Sequence, residues 1–358
     1  MNSRAILREA WRNLTSGTTR ALTMLIALGL ITLTLQLADL SAVRQIVQDA
    51  AEYQRVGASV LTLTAPQKIN GRACEALNGL PGVRAAGALR EASNDVRLTT
   101  LPQSPVPLKE TTPSFSKLLR AESSEIGGYI LSSQVTEPLG LTTGDLLQTT
   151  QGETHVSGRF DYPDDGRKTG LGYSALVVGQ GNEPFDECWL DIWPQNREFQ
   201  GLLLTTLIPV SSNSTPDRPV LGQLNSTLGS TFDGAGRYSS RITLLAYPLA
   251  AALAFALGFV ATRLRRMELA AALHSRVSRS ALLRVLMVEA LSWALPVLII
   301  GVSVSAWFAA SGPSQDEALT LLQGTKLPLL TVVAALAGTT TAFVAIRESH
   351  LFKYFKNR

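Results

Sequence analysis

Few residues in this chain have the type and spacing to do chemistry, and they are scattered. Asp161, Asp164 and Asp165 put three carboxylates within five positions, the density of a calcium loop or of a solvated acidic turn. Gly166-Arg167-Lys168-Thr169-Gly170 has the residue types of a phosphate loop but neither its spacing nor a following apolar helix. Gly172-Tyr173-Ser174-Ala175 lacks the second glycine of a nucleophile elbow. His155, His274 and His350 lie far apart, and no paired Cys/His spacing suggests a metal. Cys74 and Cys188 are the only cysteines. Both fall in the stretch expected outside the cytoplasm, where paired cysteines tend to be oxidised, so a disulfide that closes a loop of over 100 residues and contributes several kcal/mol is expected; two free buried thiols are the alternative. The expectation is a non-catalytic chain with no metal and no cofactor of its own.

The elements that must position these residues are set by hydropathy. A chain of 358 residues with 46% hydrophobic content and a mean hydropathy of +0.16 is too apolar for an ordinary soluble protein. A bilayer core needs about 20 consecutive apolar residues per helix, and four runs qualify: 21–38, 242–262, 290–310 and 327–346. The short flanks set the orientation. Arg4, Arg8, Arg12 and Arg20 precede the first run, and Arg347, Lys353, Lys356 and Arg358 follow the fourth. Arg263, Arg265, Arg266, Arg276, Arg279 and Arg284 lie between the second and third, whereas residues 311–326 hold Asp316, Glu317 and one lysine. Basic residues accumulate on the cytoplasmic side, so both termini are expected inside a bacterial cell membrane. The pI of 9.2 follows from this topology and does not indicate nucleic-acid binding.

The expected fold is an α-helical membrane protein with four transmembrane helices plus a large α+β extracytoplasmic domain inserted between the first and second. Residues 1–20 form an interfacial amphipathic helix, 21–38 the first span, 39–241 the outer domain with its stalks, and 242–358 a three-span domain. Ile6, Leu7, Ala10, Trp11 and Leu14 make the apolar stripe of the leader, opposed by arginines. The apolar run of 18 residues that follows exceeds the core of a signal peptide, so an uncleaved anchor is expected. Helical spacing continues from Leu40 to Tyr53 as a stalk. A strand over 59–64 should end at Pro66, a helix should cover 69–80, and 100–115, with four prolines, should be a loop. Strands are expected over 129–135, 146–156, 176–178 and 188–193, a polar loop over 213–219 and weak helix over 219–232.

One stretch combines charge with periodicity. In the loop 263–289, Leu269, Leu273 and Val277 recur every four residues, predicting a short helix over 268–277 with one apolar edge. That edge would face a groove on a soluble partner or the adjoining membrane, with Glu268 and Arg276 on the polar rim. A loop that only fixes topology would carry the same arginines. Glu289 stands at the inner end of the third span, and no charge lies deep enough for a proton relay.

From Arg266-Met267-Glu268-Leu269-Ala270-Ala271-Ala272-Leu273 through Leu286-Met287-Val288-Glu289-Ala290, the chain resembles the FtsX-like, MacB-type permeases of ABC transporters. Ile130-Leu131-Ser132-Ser133 followed by Leu139-Gly140-Leu141-Thr142-Thr143-Gly144-Asp145 is similar to their outer domain. Ser275-Arg276-Val277-Ser278 stands where the family has a glycine-containing turn. The resemblance implies a permease subunit that couples ATP hydrolysis in a separate cytoplasmic ATPase, present in two copies with ATP and Mg, to movement of the outer domain. A second permease subunit and membrane lipid complete the expected partners. Export or extraction of a hydrophobic or peptide substrate is the first expectation. Activation of an outer cell-wall hydrolase is the alternative, as is haem efflux, for which Met24 and Tyr247 could approach an iron.

Overall fold

The computed structural model describes residues 3–123, 127–179, 183–195, 198–209, 218–312 and 317–347. Two helices open the chain, α1 (Ser3–Thr15) and α2 (Ala21–Arg55). A strand-rich stretch follows: β1 (Val60–Ile69), α3 (Gly71–Ala76), β2 (Val83–Glu91), β3 (Val96–Leu98), β4 (Leu101–Val106), β5 (Leu108–Thr111), α4 (Phe115–Leu118) and β6 (Glu122–Ser123). It continues through β7 (Tyr129–Ser132), α5 (Ser133–Leu139), β8 (Leu146–Thr149), β9 (Gly152–Phe160), β10 (Ala175–Val178), β11 (Phe185–Ile192), α6 (Glu198–Leu204) and β12 (Val220–Gln223). Helices close it: α7 (Gly234–Ser239), α8 (Ala246–Leu264), α9 (Arg266–His274), α10 (Arg279–Ala310) and α11 (Glu317–Val344). These elements form two compact units, one of Met1–Val47 with Gly234–Arg358 and one of Gln48–Asp233.

In the helical unit, four stretches are long and apolar enough to cross a membrane: α2, Gly234–Leu264, α10 and α11. The last two begin before their apolar runs, because the polar residues at Arg279 and Glu317 extend the helix beyond the hydrocarbon. Association here cannot use the hydrophobic effect, since lipid tails are as apolar as leucine, so close backbone packing takes its place. The buried face of α8 is Ala246, Ala250, Ala254, Gly258 and Thr262, a small residue at every fourth position. A Cβ at Gly258 would lie 2.1 Å from the Ala335 carbonyl oxygen, and one at Gly338 only 2.0 Å from that of Phe255. Both glycines are therefore required by the α8–α11 crossing. Along α2, Thr32, Gln36 and Asp39 make a buried polar stripe. Thr32 donates to Thr331 Oγ1 (3.1 Å), and Gln36 Nε2 to the carbonyls of Gly301 (2.7 Å) and Gly324 (3.1 Å), stitching α2 to α10 and α11. The leader α1 packs Ile6 and Ala10 on Val285 of α10, while Leu7 and Trp11 face outward beside Arg8 and Arg12.

The second unit is a mixed sheet, twelve-stranded among the described residues, in the order β12-β1-β11-β2-β5-β10-β7-β9-β8-β3-β4 with β6 on β9. Leu61, Leu63, Ile69, Ala86, Leu190 and Ile192 build one core, into which Cys74 of α3 and Cys188 of β11 bring a disulfide. Asn70 caps α3, its Oδ1 accepting from the amides of Arg72 and Ala73. Phe115 and Trp189 anchor a second core. Tyr53, near the end of α2, packs with Trp193 and Phe232. The Leu139–Asp145 motif is a turn. Gly140 ends α5 at φ 63°, and Asp145 accepts from the amide and hydroxyl of Thr142 (2.7 and 2.9 Å). Those bonds, the backbone one first, hold the Asp145 carboxyl below its usual range.

Six element expectations need correction, the first being the strand over 146–156, which divides at a turn after Thr149 into the antiparallel pair β8 and β9. The stretch 100–115 is not a loop: it holds β4, β5 and α4. β4 is the last strand of the sheet order, and an edge strand tolerates Pro102 and Pro105 because its outer amides have no partner to lose. Nor does Pro66 end β1, whose pairing with β11 shifts between Thr64 and Ile69, an irregularity that admits a proline. The strand at 129–135 stops at Ser132 and turns into α5, and the helix at 69–80 divides into α3 and a 3-10 turn over Leu77–Gly79. The 219–232 stretch contributes β12, paired antiparallel to β1 with Leu61 opposite Gln223. The expected loop at 213–217, Asp316, His350 and the basic residues Lys353, Lys356 and Arg358 fall outside the described residues.

Candidate functional site

The arginine-rich junction between α8 and α10 is held together by one buried network. Arg265 links α8 to α9 with a non-helical backbone, φ −98°. Its guanidinium donates to both oxygens of Glu268 (2.9 and 2.8 Å) and, through Nη1, to Glu289 of α10. Asn13 of α1 donates to the other Glu289 oxygen at 2.7 Å. The side chains of Arg265 and Glu289 are 11% and 5% exposed, and removing one partner of such a pair leaves an uncompensated buried charge. The same Arg265 bonds hold the Glu268 carboxyl below its ordinary range. One arginine thus ties α9 to α10, and Glu289 passes the tie to α1. A cavity of about 290 Å³ adjoins the network, lined by Glu9, Asn13, Leu269, Val277, Val285 and Glu289.

The apolar edge of α9 does not point where the spacing suggested. Leu269 and Leu273 are buried, with Ala270, against Leu286, Phe343 and Ile346 of the chain itself. Neither is therefore available to a groove on another molecule. Val277 lies beyond the helix and is half-buried against the cavity. The outward face of α9 and its turn is Glu268, Ala271, His274, Ser275 and Arg276. The turn closes by the Arg276 amide on Leu273 (3.1 Å) and the Val277 amide on Ala272 (3.2 Å), with Arg276 left-handed at φ 64°. That is the helix-ending geometry usually given to glycine, adopted here by an arginine.

A second polar cluster lies at the other end of α8. Arg241 Nε donates to Asp39 Oδ1 at 2.9 Å, and Tyr247 donates to Asp39 Oδ2 at 3.1 Å. Arg241 also donates to the Tyr238 carbonyl and covers its ring at 4.0 Å. The 19 residues of α8 span about 28 Å, close to the thickness of a bilayer core. The two buried ion pairs therefore lie at opposite ends of a helix about as long as a bilayer core is thick. Met24 and Tyr247 do not come together: Met24 packs with Ala254, Ala290 and Trp293, whereas Tyr247 packs near Leu35 and Leu327.

Gln36, Asp39, Arg241 and Asn13 escaped the sequence reading. The detectable signal was the i, i+4, i+7 spacing of Thr32, Gln36 and Asp39 along an apolar helix, which requires the first span to be followed beyond residue 38. Asp161 and Asp165 pair with Arg159 and Arg167, and no group of three metal-binding side chains occurs among the described residues. Residues 166–170 and 172–174 lie between β9 and β10, and Ala175 opens β10.

No protein family model matches the chain, and no curated protein does. Among solved structures it is similar to the periplasmic region of MacB from Actinobacillus actinomycetemcomitans, at 8% identity and a TM-score of 0.33, covering 42% of this chain and 83% of that one. It is similar to a domain of a Porphyromonas gingivalis protein described as a permease, at 11% identity and a TM-score of 0.32, covering 46% and 90%. The third is the extracellular domain of the ABC-type transporter YknZ from Gram-positive bacteria, at 13% identity and a TM-score of 0.28, covering 40% and 88%. Likenesses at this level carry no inference to function.

Proposed function

We propose that the chain is the membrane permease subunit of a MacB/FtsX-type ABC transporter, driven by ATP hydrolysis in a separate cytoplasmic ATPase that docks on the outward face of α9. The observation that carries this reading is the way α9 is mounted. Its inner face is packed into the helical unit through Leu269 and Leu273, and Arg265 binds it to α10, and through Glu289 to α1. A force applied to such a helix moves its neighbours instead of bending a loop. Its outer face, Ala271, His274 and Ser275, is exposed and flanked by arginines, which supports a cytoplasmic position by the positive-inside rule. Nucleotide and Mg would bind the ATPase, two copies of which would serve a pair of permease subunits, and export of a hydrophobic or peptide substrate would be the outcome.

The test uses the full chain purified from its native membrane, with ATP hydrolysis and mass spectrometry of the eluate. Ala271→Glu and His274→Glu add charge to an exposed surface and leave the fold intact, and both should abolish ATPase recovery. Arg276→Gly suits the left-handed backbone and removes only the rim charge, so a smaller loss is expected. Undiminished ATPase recovery with Ala271→Glu and His274→Glu would defeat the docking role.

A further inference from the structure

The stretch Gly234–Leu264 is long and apolar enough to cross a membrane, yet it is not one continuous helix. α7 ends at Ser239, Arg241 is extended at φ −62° and ψ 134°, and a 3-10 turn over Ile242–Leu245 leads into α8. A 3-10 piece inside a longer helical run marks a hinge or local strain. Its cause here is Pro248, in the first turn of α8. Proline suits a helix start, but it has no N–H for the Leu244 carbonyl and its ring crowds that oxygen, so the helix cannot continue upstream. The proline explains the break without fixing the direction in which α7 departs. Every residue of α7 is at least partly exposed, so packing does not fix it either.

That direction is set by the side chain at the break. Arg241 donates through Nη1 to the Tyr238 carbonyl at 2.7 Å and lies over the Tyr238 ring at 4.0 Å, gripping the last turn of α7. Through Nε it donates to Asp39 of α2 at 2.9 Å, and the other Asp39 oxygen accepts from Tyr247 of α8 at 3.1 Å. The side chains of Arg241 and Asp39 are 7% and 9% exposed. One turn earlier on the same face of α2, Gln36 pins that helix to α10 and α11. A single arginine thus clamps α7 to a fixed framework. Apolar residues in place of a buried ion pair are often neutral for stability, so stability alone does not account for one here. The opposite end of α8 is built alike: Arg265 leaves the helical backbone and binds Glu289. α8 is a rod between two arginine-held joints.

We propose that the break at Arg241 is a hinge and that the Asp39–Arg241–Tyr247 cluster is its lock. Closed, the lock makes α7 turn with α2 and α8 as one body. Open, it lets α7 swing on the extended backbone at Arg241. The chain passes from the strand-rich unit into the helical one at residues 233–234, directly before α7, so the lock sets whether movement of α8 reaches that connection. The hinge is read from the helical unit alone, and only its use in passing movement outward rests on the transport reading.

The experiment measures distances between paired spin labels on the full chain in phospholipid nanodiscs, with the native cysteines left in their disulfide. Ser41→Cys with Ser239→Cys, both at exposed positions, spans the lock from α2 to α7. Ser41→Cys with Ser303→Cys joins α2 to α10 and does not cross it. The otherwise unaltered chain should give one distance for each pair. Asp39→Asn should raise a second Ser41–Ser239 population from below about 10% to about half, the change expected when a two-state preference is lost. Tyr247→Phe leaves the ion pair in place and should change that population less than about twofold. Asp39→Leu with Arg241→Met removes both charges together and strands neither, so it should give the same second population at the original yield of folded protein. The Ser41–Ser303 distance should stay single throughout. A second population in both pairs would make the cluster a general brace of the bundle and overturn the hinge. A single Ser41–Ser239 distance in the folded double variant would overturn it as well, whatever the yield of Asp39→Asn.

Discussion

Glu289 and Glu268 share one arginine, yet their environments predict unequal consequences. Glu289 is buried and held from two sides, by Arg265 and Asn13, whereas half of the Glu268 side chain is exposed. Glu289→Ala leaves a buried guanidinium with only Glu268 to answer it, and should destabilise the helical unit by about 3 kcal/mol, the lower end for a broken buried pair. Glu268→Gln should change stability by less than about 1 kcal/mol, as exposed pairs do. Reversible unfolding in detergent followed by tryptophan emission compares the two, and equal losses would show that burial does not set the difference. Both glutamates stand out in the sequence as charges beside an apolar run. Their shared partner does not, because Arg265 and Glu289 are separated by 24 positions and only the packing of α8 against its neighbours brings them together.

Among the elements, the legibility of the sequence divides by period. The four long helices were readable because about twenty apolar residues admit no other structure in a bilayer, and α2 continues to Arg55 on the spacing that predicted its stalk. The strands at 101–111 and 220–223 were not, since proline and glycine signal turns locally, and only a sheet edge or an irregularity makes them compatible with pairing. The direction of the apolar edge of α9 was likewise unreadable: periodicity shows that a helix has a buried face, not whether its own chain or a partner buries it. With that face packed on Leu286 and Phe343, Leu273→Asp should unfold the junction instead of selectively releasing a partner. The α8–α11 crossing makes a stronger demand. Gly338→Leu would drive a side chain into the Phe255 carbonyl, whereas Ala337→Leu, one position along, faces a side of α11 with room for it. The first should lower the yield of folded protein severely, at a cost of 1–3 kcal/mol or more by the usual range for overpacking, about which the second should change little. Monodisperse recovery of Gly338→Leu at the wild-type level would contradict the close crossing.

At the scale of the whole molecule, the disulfide and the arginines make independent statements about the same compartment. On the proposed topology the arginines would lie with the helix termini and the α8–α10 junction on the cytoplasmic side, and residues 48–233 would then be outside. Cys74 and Cys188 fall within that unit and are bonded across 114 positions. A disulfide persists where the surroundings are oxidising and is kept reduced in the cytoplasm, so its presence in cells reports the side on which the sheet resides. Closing a loop of that length should stabilise the unit by about 4–5 kcal/mol on the loop-entropy scale, and by less if the reduced unfolded chain retains structure. Cys74→Ser with Cys188→Ser should therefore lower the unfolding midpoint of the sheet unit while leaving the helical unit, which contains neither cysteine, near its original value. In growing cells, an alkylating reagent applied before lysis should modify neither thiol until a reductant is added. Single cysteines in the paired-mutant background complete the comparison: one at Ser114 should react with a membrane-impermeant reagent in intact cells, and one at Ser278 only after the membrane is opened. Quantitative alkylation of both native thiols without reductant, together with labelling at 278 but not at 114, would invert the molecule and move the outward face of α9 out of reach of any cytoplasmic ATPase.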